Sequence, residues 1–141
     1  MSDFRDQVFR ECLSAFPEVT FTVTGQCMQP DLAHGDRVIV VGPDQKRPRL
    51  GDVVLTRRGE AMRLHRLVWK PPLAGSRATW RTKADRATSL DPALSEADVI
   101  GTVAAVEGRT YVRRPGRALL SLLGAIVARA SRRGERAPAS P

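Results

Sequence analysis

A mainly β domain, a barrel of short strands flanked by an N-terminal and a C-terminal amphipathic helix, is the fold class predicted for this 141-residue chain. Three observations carry that expectation. Runs rich in Val, Ile, Leu and Thr recur between Gly- and Pro-containing turns from about residue 20 to residue 112. The segments before residue 17 and after residue 113 switch to the three-and-four spacing of a helix face. The length suits one packed core and is short for two.

Taken in order, Phe4, Val8, Phe9, Cys12, Leu13 and Phe16 mark one apolar helical stripe, with Ser2 or Asp3 as cap and Pro17 as stop. Phe21–Thr24 reads as a strand broken by Gly25, and Asp36–Val41 as a second strand introduced by His34-Gly35. Residues 42–51 are turn-rich. Asp52–Arg57 and Ala61–Val68 follow as strands joined through Gly59, and Pro71, Pro72 and Gly75 place a loop before a fifth at Ala78–Lys83. Val99–Val106 and Thr110–Val112 complete the set. After Pro115-Gly116 the stripe Leu119, Leu122, Leu123, Ile126, Val127 and Ala130 predicts a helix, with arginines before and after it. The expected organisation is a helix over 1–17, a β core over 18–112, a basic amphipathic helix over 113–133 and a disordered tail over 134–141.

The charge balance, 23 Lys+Arg against 15 Asp+Glu and a net +8, favours anionic partners or a plain surplus of solvated arginines. Nucleic acid is not expected as a partner. Aromatic residues are 5% of the chain, too few for a row of base-stacking platforms, and no helix-turn-helix pattern precedes the core. Two cysteines make no disulfide framework. No metal-ligand spacing or cofactor motif occurs. The start, MSDFRDQVFREC, lacks the basic and apolar regions of a secretory leader, and no run reaches the roughly 18–20 apolar residues of a membrane span, so the expected location is cytoplasmic.

The chemistry concentrates in three places. Thr24-Gly25-Gln26-Cys27-Met28-Gln29-Pro30 offers a thiol in a turn of small and polar residues, where Cys12 lies on a helix stripe as a core residue would. Leu64-His65-Arg66 puts an imidazole inside a strand, whereas His34 lies in a turn before Gly35 and reads as solvated. Thr82-Lys83-Ala84-Asp85 and Leu90-Asp91-Pro92 supply two carboxylates. Together these types make a nucleophile, a base and an orienting acid. A thiol of ordinary pKa is only a few per cent thiolate at neutral pH, a nearby imidazolium lowers that pKa, and a carboxylate on the far ring nitrogen holds the tautomer. Either Asp85 or Asp91 can fill the last role, with Asp85 the expected partner, and a coupled contribution from both stays open.

The succession TGQCMQPDLAHGDRVIV, RLGDVVL, RLHRLV, WRTKAD and DVIGTVAAV, over about residues 20–106, resembles the type I signal peptidases of the signal peptidase and LexA-like superfamily. His65-Arg66 and the Thr-Lys-x-Asp box are similar to the archaeal and endoplasmic-reticulum type, which uses histidine as base. The resemblance implies a β-barrel catalytic core, Cys27 as nucleophile, His65 as base and Asp85 or Asp91 as the acid. Cys27 stands where the family has serine, and Ala84 where it has glycine. The implied activity is endopeptidase cleavage of a leader, signal or precursor peptide, with the backbone of Gln26, Cys27 and Met28 near the oxyanion, and no cofactor. The alternatives are a non-catalytic peptide-binding module on a protease-like scaffold and a serine-type homologue whose serine has become cysteine. For the C-terminal helix two partners stay open: its own domain, or an anionic membrane surface that would hold the protein at the inner face of the membrane.

Overall fold

The computed structural model describes residues 17–59, 61–72 and 79–134, with Glu11 and Ala15. Its strands are β1 (Val19–Thr22), β2 (Arg37–Val41), β3 (Val53–Arg58), β4 (Ala61–Trp69), β5 (Arg81–Lys83) and β6 (Val99–Val106). A 3-10 turn at Glu96–Asp98 leads into β6, and helix α1 (Pro115–Gly134) follows. The strands form one six-stranded antiparallel sheet in the order β1-β2-β6-β3-β4-β5.

The fold is therefore mainly β, and the expected barrel is not closed. Closure needs the edge strands to pair with each other. Here β1, four residues long, pairs with β2 alone, and β5, three residues long, pairs with β4 alone. The expected strand Thr110–Val112 is not a strand either. A tight turn at Glu107-Gly108, closed by the Val106–Arg109 bridge, ends the ladder, and Tyr111 turns its ring inward so that its Oη accepts the Val53 amide at 3.2 Å. The N-terminal helix expected over 1–17 lies outside the described residues apart from Glu11, Ala15 and Pro17, and so does the tail apart from Gly134.

The sheet buries both faces at its centre. Val53 and Leu55 of β3 join Met28, Leu32, Val38, Val40, Leu64 and Val103 in the larger cluster. Val54, between them, faces the other way into a smaller cluster with Leu67, Trp80, Leu94 and Val99. This is the pleat acting on a two-sided strand: β3 lies between β6 and β4, so its run Val-Val-Leu is apolar at successive positions rather than at alternate ones.

Two Gly-Asp pairs start β2 and β3 by the same local device. Gly35 and Gly51 hold φ of +90° and +91°, and the following carboxylates, Asp36 and Asp52, accept the amides of Ala33 and Arg49 at 2.9 and 2.8 Å. A side chain accepting an amide three residues back closes the turn before the strand begins.

Gly51 has a second duty. A Cβ there would lie 2.5 Å from the Pro115 nitrogen, so the start of α1 rests directly on this turn. Gly51→Ala combines that backbone clash with an unfavourable φ and should cost at least about 2 kcal/mol, read as a lower midpoint in thermal unfolding. Gly35→Ala, with the same φ and no neighbour within 4 Å, should cost less.

Candidate active site

The turn after β1 presents Cys27. Gly25 takes φ +86°, the Gln29 amide closes onto the Gln26 carbonyl at 3.2 Å, and the Leu32 amide onto that of Met28 at 3.0 Å. Met28 and Leu32 are buried in the larger cluster, which pins the turn from below, while Cys27 remains an exposed free thiol. Gln26 is exposed as well. The imidazole of His34 holds the turn from the side: its Nδ1 accepts the Gly25 amide at 3.1 Å. The exposure expected for His34 is observed, but its ring supports the Cys27 turn, a role invisible in a His-Gly dipeptide nine residues away.

On β4, His65 is buried, and its Nδ1 lies 2.5 Å from Asp91 Oδ2. An ionised carboxylate only accepts, so Nδ1 carries the proton in this pair and Nε2 is the ring's free basic nitrogen. Thr82 on β5 donates its hydroxyl to the same oxygen at 2.7 Å. Burial opposes the ionised form of Asp91, but the hydrogen bonds from His65 and Thr82 and the charges of His65 and Arg63 outweigh it, so this carboxyl lies below its ordinary value.

Asp85 does something else. Arg66, fully buried, donates Nε and Nη2 to Asp85 Oδ1 and Oδ2 at 2.7 Å each, Nη2 to Asp31 at 2.6 Å and Nη1 to the Gly51 carbonyl at 2.8 Å. Burial disfavours the guanidinium charge, yet Asp85 and Asp31 more than compensate and raise its pKa. Of the two carboxylates expected beside the imidazole, the structure brings Asp91 to His65 and gives Asp85 to Arg66. Adjacent residues on a strand point to opposite faces, so His65 and Arg66 need separate acids.

The loop 84–91 connects these pieces. It leaves β5 at the Arg66 side and returns at the His65 side, and midway the Arg86 amide donates to the Cys27 carbonyl at 3.1 Å. The Arg86 guanidinium reaches the side-chain carbonyls of Gln26 and Gln29 at 3.5 and 3.4 Å. Among the described residues no hydrogen bond joins Cys27 to His65; they share this loop as a common neighbour. Lys83 is the other basic group nearby. Burial lowers its pKa, opposed by Asp85 and Asp91, and its Nζ donates to the Ala84 carbonyl at 3.2 Å.

The strand carrying His65 also has a free edge. β3 pairs with β4 from Arg66 through Ala61, whereas β5 covers β4 only at Arg66, Leu67 and Trp69. Among the described residues nothing pairs with 61–65 on that side, which borders a cleft lined by Thr56, Ala61, Arg63, Thr82, Asp91 and Leu94. Among the described residues no three His, Cys, Asp or Glu side chains gather as a metal site.

The depressed acid of Asp91 has a pH signature. A carboxyl with a lowered folded-state pKa adds stability above its unfolded value, and that stability is lost as pH falls through the folded value. Asp91→Asn should therefore lower the thermal midpoint near neutral pH, and the gap to the parent protein should shrink below about pH 4. A gap that stays constant down to acid pH would contradict an Asp91 carboxylate held below its ordinary value.

Comparison with family models, with curated proteins and with solved structures finds no match to this chain.

Proposed function

We propose that the protein is a thiol endopeptidase of the signal-peptidase-like type, cleaving an extended peptide at the free edge of β4. The observation that carries this reading is the His65 imidazole held at Nδ1 by Asp91 on the loop that also contacts the Cys27 turn. The arrangement leaves Nε2 as the base. In the reaction, a peptide adds as a strand alongside residues 61–65, and the Cys27 turn closes toward His65 over the scissile carbonyl. His65 Nε2 takes the thiol proton as Sγ attacks, the imidazolium is stabilised by Asp91, and the proton passes to the leaving amine as the C–N bond breaks. Water, activated by the same nitrogen, then hydrolyses the thioester. The Cys27 amide would donate to the oxyanion. His65 lies on the Val54 face of the sheet while Met28, Leu32 and the Arg66–Asp31 bond anchor the Cys27 turn on the other, so this reaction requires the turn and the 84–91 loop to carry the thiol round the β4 edge.

The His-Arg pair, the two Gly-Asp turns and the Thr-Lys-x-Asp box support the signal peptidase and LexA-like family as the fold's home. Their physical duties here, a base beside a structural arginine and two carboxylate-closed turns, are duties such boxes would need to serve.

The test is a peptide library digested by the parent protein and by Cys27→Ala, with products mapped by mass spectrometry. Cleavage by the parent, its loss in Cys27→Ala and a substrate-derived mass on Cys27 are expected. Tight peptide binding with no cleavage by either would favour the non-catalytic module. Cleavage retained by Cys27→Ala would remove the thiol from the mechanism.

A further inference from the structure

Helix α1 is docked with its apolar side outward. Ala118 and Ala125 are buried at 2% and 6% exposure, so the side facing the sheet is built of small residues. Large aliphatic side chains face away: Leu119, Leu120, Leu123, Ile126 and Val127 are 58, 70, 49, 54 and 64% exposed. A helix that covers its own domain does the reverse and buries its large apolar stripe. The orientation is set by contacts at the helix start, where Arg114 lies 3.3 Å from Asp31, and Arg117 lies 3.5 Å from both Asp31 and Asp85. With Pro115 against Gly51, the helix is not free to roll its leucines inward.

The charge around the strip is one-sided. From residue 108 to residue 134 there are seven arginines and no Asp or Glu. Arg133 is exposed beside the C-terminal end of the strip and Arg113 and Arg114 stand before its start, whereas Arg129 and Arg132 fall on the docked side near Ala125. At 100° per residue, Ala118 and Ala125 share one side, the strip lies roughly opposite, and Arg133 falls on its border.

We infer that this outward face of α1 docks on an anionic lipid surface. The strip spans about 12 Å along the axis at 1.5 Å per residue, and it lies on the side of the helix rather than running end to end. That geometry places it in the plane of a bilayer surface, aliphatic side chains among the acyl chains and flanking arginines at phosphate level. Each arginine near an anionic surface strengthens binding by roughly fivefold. A second copy of this chain is a poorer occupant, because a two-fold contact would face arginines with arginines and meet no acidic residue on this segment. A protein partner is poorer too, since the strip holds none of the aromatic residues that anchor protein interfaces.

Co-sedimentation of the full chain with phosphatidylcholine vesicles, with and without phosphatidylglycerol, tests this. Sedimentation with the anionic vesicles alone, abolished by high salt, is expected. Leu120→Glu/Val127→Glu, which alters two of the most exposed positions, should lose that binding at least tenfold while keeping the parent's thermal midpoint. No sedimentation with either vesicle overturns the inference. So does a fall in thermal midpoint with the double substitution, which would mean the face is covered by the chain's own N-terminal amphipathic segment. A concentration-dependent dimer that the double substitution dissolves, with no lipid binding, would assign the face to a second copy. None of these outcomes depends on peptidase activity, so failure here leaves the proposed reaction untouched.

Discussion

Replacing His65 by Ala should lower kcat/KM for peptide cleavage by about 10²- to 10⁴-fold, the range contributed by a positioned general base. The fold should survive, because the imidazole's strand neighbours Leu64 and Leu67 keep their core contacts. His34→Ala should act differently, loosening the turn through the lost Gly25 contact and changing KM more than kcat. Lys83→Met supplies the decisive contrast. Burial holds the Lys83 amine below its ordinary value, and among the described residues it is the other amine or imidazole close to Asp91. Activity lost in Lys83→Met and kept in His65→Ala would transfer the role from the imidazole to the amine.

The largest loss of stability should come from Arg66→Met, on the order of 3–5 kcal/mol, because it leaves two nearly buried carboxylates without their main counter-charge. Side-chain exposure is 10% at Asp31 and 5% at Asp85, and the remaining cations, Arg114 and Arg117, stand at 3.3–3.5 Å. A fall of more than about 10 °C in Tm is the corresponding thermal readout. Arg66→Lys should recover only part of it, since an ammonium cannot make two parallel bonds to Asp85 while also reaching Asp31 and the Gly51 carbonyl. A change within about 1 kcal/mol for Arg66→Met would show that relaxation or water satisfies both acids. The position matters to the site as well as to the core. Arg66 ties the turn region through Asp31, the loop 84–91 through Asp85 and the root of α1 through Gly51, so its loss should misplace Cys27 relative to His65.

Most of the strand framework was legible from residue order. Four of the expected strands appear within one residue of their predicted ends, because Val-rich runs bounded by Gly-Asp, Gly and Pro turns are local signals that need no partner to be read. The edges were less legible. Phe21–Thr24 moved to β1 at Val19–Thr22, since the register is chosen by β2, where Val19 faces Val40 and Thr22 faces Arg37. Thr110–Val112 had strand composition but no neighbouring strand to pair with, and Tyr111 served as a side-chain anchor to Val53 instead.

Sequence alone determined the chemistry on offer: one thiol in a turn, one imidazole in a strand, two acids within the 84–91 loop and its flanks. These follow from residue type and local context. Tertiary structure alone decided how they combine. Asp85 and Asp91 are both plausible acids by spacing, and only the path of the loop past β4 gives one to Arg66 and the other to His65. The helical period of α1 announced an apolar stripe, but which side meets the sheet was decided by ion pairs to Asp31 and Asp85, far away in sequence. Periodicity records which residues share a face; what lies opposite that face is a property of the whole fold.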